Sequence, residues 1–90
     1  MFLKYKSYEW DEINVDHILR HDVAPEEVEE ACFDNPFILR GKDGRYLIYG
    51  KTNDGRYLFI VLADKGHGVV RTITARDMDE KEKHLYHKNK

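Results

Sequence analysis

Paired cysteines, long apolar runs, proline and excess positive charge are all scarce in this 90-residue chain. The longest unbroken apolar stretch, Tyr57 to Ala63, falls far short of the ~20 residues that a membrane-spanning helix requires. The opening M-F-L-K-Y-K-S-Y-E-W has no secretory-signal organisation, so the expected location is the cytoplasm, with no membrane partner. Cys32 stands alone, which excludes an internal disulfide and agrees with a reducing compartment. A net charge of −2 argues against a protein that coats nucleic acid indiscriminately, because phosphate neutralisation supplies most of that affinity. No glycine pattern of a P-loop or dinucleotide site is present, and no linker or low-complexity segment interrupts the chain.

What is present is enough for one modest core, so residues 1–90 are read as one domain. Hydrophobic residues at 41% and charged residues at 36% fit a globular chain and not a disordered one. The charge is polarised. Residues 1–36 carry three bases against ten acids, a balance of −7, while residues 37–90 carry twelve bases against seven acids, a balance of +5. A basic face for an anion and an acidic face for something else are the expected consequence.

Local patterns predict an α+β domain in the order β-α-α-β-β-β-β-α, with an antiparallel sheet of four to five strands. Phe2 to Glu9 reads as the first strand. Asp11 is a good N-cap for a helix over Asp11 to Asp22. At about 100° per residue, Trp10, Asn14, His17, Ile18 and His21 share one stripe of that helix, whose middle is unusually polar. Pro25 suits the first position of a second helix reaching Phe33, and its glutamates Glu26, Glu27, Glu29 and Glu30 complement the helix dipole on a solvated face. Asn35-Pro36 ends it.

From Phe37 the period becomes two. Turn signals at Asp43-Gly44, Asn53-Asp54-Gly55 and Gly66-His67-Gly68 divide strands at about 37–42, 45–52, 56–64 and 69–76, an antiparallel meander. G-R-Y-L occurs at Gly44 and again at Gly55; two copies are too few for a solenoid and read as similar strand starts. Both sides of the strand from Arg56 are apolar, which predicts a central position covered on both faces. Asp77, with Glu80 three residues on, predicts the N-cap of a last helix running from Met78 to about His87.

Val69 to Met78, V-V-R-T-I-T-A-R-D-M, then forms a strand-to-helix corner bearing Arg71 and Arg76. Guanidinium groups suit phosphate, although ordinary surface charge explains them equally well. His17 and His21 are four apart on a helix, a spacing that reaches one metal, but Ile18 stands where a zinc-protease glutamate would be and a third ligand would have to come from afar. No metal and no cofactor is therefore expected. Imidazoles serve acid–base chemistry without metal, since an unperturbed pKa of ~6.5 lets them take and return a proton near neutrality. RNA cleavage needs a base, an acid and cations around a crowded phosphate. His17, His21, Arg71, Arg76, His84 and Tyr86 supply those groups if folding brings the first and last helices to one cleft. For each residue alone, a surface or core role outweighs catalysis. His67, in a turn, and His87, in a tail, are weaker candidates, and Cys32 reads as core.

W-D-E-I-N-V-D-H-I-L-R-H-D-V-A-P-E-E-V-E-E at Trp10 to Glu30, G-R-Y-L at Gly55 to Leu58 and V-R-T-I-T-A-R-D-M with the later Tyr86 resemble the BrnT-type toxins over nearly the whole chain. That resemblance implies a RelE-like fold and the ribonuclease toxin of a type II toxin–antitoxin pair. It also implies a ribbon-helix-helix antitoxin that would bind operator DNA, with a toxin–antitoxin heterotetramer as the expected assembly. The family's recurring polar positions fall on Trp10, Asp11, His21, Arg71, Arg76 and Tyr86, and Asn14 and His17 match a W-D-x-x-N-x-x-H-I branch. Asp22 stands where the family usually has glycine, and Ala24 where it usually has serine or threonine. The expected function is a metal-independent endoribonuclease that inhibits growth, with His17, His21, Arg71, Arg76 and Tyr86 catalytic and Asn14, Arg56, Lys81 and His84 on the RNA. The alternative is a non-catalytic module that keeps only the partner surface.

Overall fold

The computed structural model describes residues 7–90. Its first strand, β1 (Ser7–Glu9), is the end of the predicted one, whose earlier residues lie outside the described residues. The helices α1 (Glu12–Leu19) and α2 (Pro25–Phe33) follow, then β2 (Phe37–Arg40), β3 (Arg45–Lys51), β4 (Tyr57–Gly66), β5 (Val69–Asp77) and α3 (Glu80–Lys88). The strands form one sheet in the order β1-β5-β4-β3-β2. Strands β2 to β5 are the expected antiparallel meander, tightened by a turn in which Asp43 and Gly44 both have positive φ. The wholly antiparallel expectation needs one correction: β1 runs parallel to β5, with Glu9 beside Arg71. The intervening helices return the chain to that edge, a long-range choice that no local pattern encodes.

The α1 helix begins as its sequence predicts. The Asp11 carboxylate accepts from the Ile13 and Asn14 amides, and the Asn14 side-chain oxygen accepts from the Asp11 amide, closing a capping box. Asn14 is only 3% exposed. Its side-chain amide donates to the carbonyls of Glu9 and Thr72, so the polar middle of the stripe is a junction between β1, α1 and β5. The helix stops at Leu19, earlier than expected, because Asp22 takes a left-handed backbone with φ of 58°. Only glycine adopts that conformation without steric cost. Replacing Asp22 by glycine should stabilise the fold by ~0.5 kcal/mol and raise the melting temperature by about 2–4 °C in a thermal scan.

Pro25 opens α2 as expected, and the Ala24 amide, without a capping side chain, donates to Glu27. Ile18, Val23, Val28, Ala31 and Cys32 from this helical side pack on Ile48, Leu58, Ile60, Leu62, Val70 and Ala75. The other face of the sheet carries α3, where Met78 and Tyr86 pack with Tyr49, Tyr57 and Phe59. Strand β4 is central and flanked on both faces, as its double apolar pattern predicts. The start of α3 differs from expectation. The strand continues to Asp77, whose residue pairs with Leu58, and Asp79 is the cap, with its side chain accepting from the Glu82 amide and Glu82 reaching back to Asp79.

Candidate active site

Beyond Arg71, β1 no longer accompanies β5, and α1 lies along the strand instead. Ile13 and His17 on α1 and Arg20 at its C-cap recur at helical spacing and, with Asn14, face Arg71, Thr72 and Ile73 across an open groove of about 330 Å³. Ile73 is there because β5 bulges: Thr72 pairs with Leu62 and Thr74 with Val61, leaving one residue extra between them. The His17 Nε2 lies 3.1 Å from the Thr74 hydroxyl, which fixes the ring against β5. His21 stands outside the groove lining but meets His17 edge-on, with ring centres 5.7 Å apart.

Arg71 is held, not free. Its guanidinium donates to Glu9 at 3.1 Å and to both carboxylate oxygens of Asp11 at 2.8 and 3.2 Å. The same cap residue therefore receives two α1 amides and a fork of guanidinium donors. The hydrogen bonds from Arg71, and next those of the backbone, pull the Asp11 carboxyl from 3.8 to about 2. A carboxyl depressed in the folded state stabilises above its unfolded pKa, and that stabilisation is lost as pH falls through about 2. Asp77, depressed chiefly by the Arg56 hydrogen bond, acts in the same direction. Substituting Asp11 by asparagine keeps a capping side chain and removes the charge. The variant should lose less stability than the parent between pH 4 and 2, read by thermal unfolding across that range.

Thr72 is fully buried at the edge of the groove, and its hydroxyl has no partner among the described residues. Valine has nearly the same shape without the unmet donor. Thr72→Val should therefore gain about 1 kcal/mol, a rise of about 4–8 °C in melting temperature; a fall would show that the hydroxyl is satisfied in solution.

Among the described residues, the single cleft expected between the first and last helices is not formed. Asn14, His17 and Arg71 meet at the groove, with His21 beside it. Arg76 lies over the Phe59 ring, 4.7 Å from its centre, and makes two 2.8 Å hydrogen bonds to Glu82 on α3. Tyr86 is buried on the same side, in edge contact with Tyr57 and His87, and burial raises its phenol pKa. Lys81 and His84 are exposed on α3, away from the groove lining. Arg56 is engaged in a third place: it forks onto Asp77, bonds Glu27 at 3.0 Å and donates to the carbonyls of His21 and Asp22. Trp10 donates from its indole to Glu29, tying the start of α1 to α2.

Sequence reasoning passed over Ile13, Arg20, Thr72, Ile73 and Thr74. Spacing carries a signal for two of them, since Ile13 and Arg20 stand four before and three after His17. The side chain of Arg20 is exposed and makes no hydrogen bond or ion pair among the described residues. His17 and His21 have no third His, Cys, Asp or Glu assembled with them as a metal-ligand cluster among the described residues.

Residues 10–82 match a family described as the ribonuclease toxin BrnT of type II toxin–antitoxin systems. In three dimensions the chain is similar to the crystal structure of the Brucella abortus ribonuclease toxin BrnT, with a TM-score of 0.68 and 18% sequence identity. That likeness of fold covers 82% of this chain and 97% of the Brucella one. Comparison with curated protein sequences returns no match.

Proposed function

Since the chain belongs to the BrnT ribonuclease toxins of type II toxin–antitoxin systems, we propose that it cleaves RNA at the groove between α1 and β5, without a metal. The observation that carries this reading is the meeting of an imidazole, His17, with the guanidinium of Arg20, unpaired among the described residues, on one open surface. In the proposed reaction an imidazole takes the proton of a ribose 2′-hydroxyl, and the freed oxygen attacks the adjacent phosphorus. The bond to the 5′-oxygen breaks, that oxygen receives a proton, and a 2′,3′-cyclic phosphate remains. His17 is the nearer proton carrier and His21, one turn on, the second. Arg20 faces the phosphate charge directly. Arg71 acts on the other side of the groove, where it also holds the N-cap of α1.

A RelE-like scaffold, a cytoplasmic site of action and a ribbon-helix-helix antitoxin, in a heterotetramer that contacts operator DNA through the antitoxin, complete the proposal. Induction without the partner gene should arrest bacterial growth and fragment RNA, and the purified protein should keep cleaving in excess EDTA. Normal growth with intact RNA would sink the ribonuclease reading, and loss of cleavage on chelation would remove its metal independence.

One observation favours a second reading, a binding module without activity. The guanidinium groups of Arg56, Arg71 and Arg76 are each already engaged by carboxylates of this chain, so three expected phosphate contacts also have structural work. Purified protein that binds its antitoxin and leaves RNA intact at every pH tested would select this reading.

A further inference from the structure

The chemistry above uses the cationic and imidazole side of the groove and leaves its apolar side without a role. Ile13, on the first turn of α1, is 76% exposed. Ile73, the residue inserted at the β5 bulge, remains partly exposed on the opposite wall. A single exposed isoleucine needs no explanation. Here two line one groove with His17 and Arg20, and Ile13 lies one helical turn from His17 along the same stripe.

We infer that the groove seats a nucleobase of single-stranded RNA against Ile13 and Ile73, while His17 and Arg20 meet the phosphate of the same strand. The inference rests on the ribonuclease reading and adds the class of substrate. A ligand that fits must carry an anion and a flat apolar ring close together, which a nucleotide does and a bare phosphate does not. The groove, at about 330 Å³, is at the small end of the ~300–1,000 Å³ spanned by small-ligand clefts, the scale of one nucleotide unit. A base inside a duplex keeps its faces stacked on its neighbours; one in a single strand can be splayed out onto a protein wall. Isoleucine offers apolar area without hydrogen-bond readout, so the contact tolerates different bases.

The test separates this inference from cleavage. The protein, labelled at its isoleucine methyl groups, is titrated with four 2′-O-methyl tetranucleotides, one for each base, which have no free 2′-hydroxyl and stay intact. An abasic tetranucleotide of the same backbone serves as the comparison. Ile13 and Ile73 should shift with at least one base-bearing ligand and not with the abasic one, while the fully buried Ile18, Ile48 and Ile60 stay in place. Ile13→Ala, at an exposed position that does not threaten folding, should bind the base-bearing strand about fivefold more weakly and the abasic strand equally. Absence of shifts with all four, or equal shifts with the abasic strand, overturns the inference. Cleavage of unmodified RNA is then measured on its own: cleavage without the shifts leaves the ribonuclease reading and ends this one, whereas the shifts without cleavage do the reverse.

Discussion

Replacing His17 by glutamine should lower the rate of RNA cleavage by about a hundred- to ten-thousand-fold, the range that a positioned proton carrier contributes. Glutamine keeps a group able to bond the Thr74 hydroxyl, 3.1 Å from the imidazole in the parent, but cannot exchange a proton near neutrality. The loss should therefore appear in kcat at all pH values, and the pH profile should lose the limb that an imidazole supplies. The melting temperature should stay within about 4 °C of the parent, because the site is a groove and not a packed core. His21→Ala is the companion measurement. His21 is exposed and lies beside the groove, so a smaller loss is expected there. Undiminished cleavage by the His17 variant would end its role as proton carrier, whatever the His21 variant did.

The largest effect on stability is expected at Gly50, where β3 passes beneath α2. A Cβ at this position would stand 2.4 Å from the Ala31 carbonyl oxygen and 3.0 Å from the carbonyl carbon, both backbone atoms of α2. Neither can turn aside as a side chain would. The helix must lift from the sheet or β3 must bend, and a close-packed interior resists both. Gly50→Ala should cost about 3 kcal/mol, a fall of about 12–24 °C in melting temperature. Trimming Ala31 to glycine should not rescue the variant, since the obstructing atoms are main chain, and it should add ~1 kcal/mol of its own through helix propensity. A rescue would mean that the Ala31 methyl, 3.2 Å from the added carbon, governs the contact instead.

The helix starts at Asp11 and Pro25 and the three hairpin turns are legible in the chain because each depends on residues within four or five positions of one another. Asp77 and Asp79 show where that locality ends. Each is an aspartate with a glutamate three residues on, and nothing nearby separates them. The choice is made by β4, which pairs with the strand through Asp77, and by Arg56, which takes the Asp77 carboxylate and leaves Asp79 to cap the helix. The site was readable in the same partial way. His17 and Asn14 stand out in the helical stripe, but the places of Arg71 and Arg76 depend on a bulge between them. Five positions apart, they would fall on opposite sides of a regular strand; the extra residue at Ile73 brings their partners Ala63 and Phe59 onto one side of β4. Separate carboxylates then hold them, Glu9 and Asp11 for one and Glu82 for the other.

A helix of eight residues such as α1 is too short to persist alone in water. It is moored at both extremities by arginines, one from strand β5 and one from the turn that leads into β4. Arg71 grips the carboxylate at its beginning, and Arg56 gathers the two carbonyls that follow its end. The bearing of His17 and Arg20 over β5 is thus inherited from the sheet, and the helix serves as a strut that carries their side chains at a fixed angle.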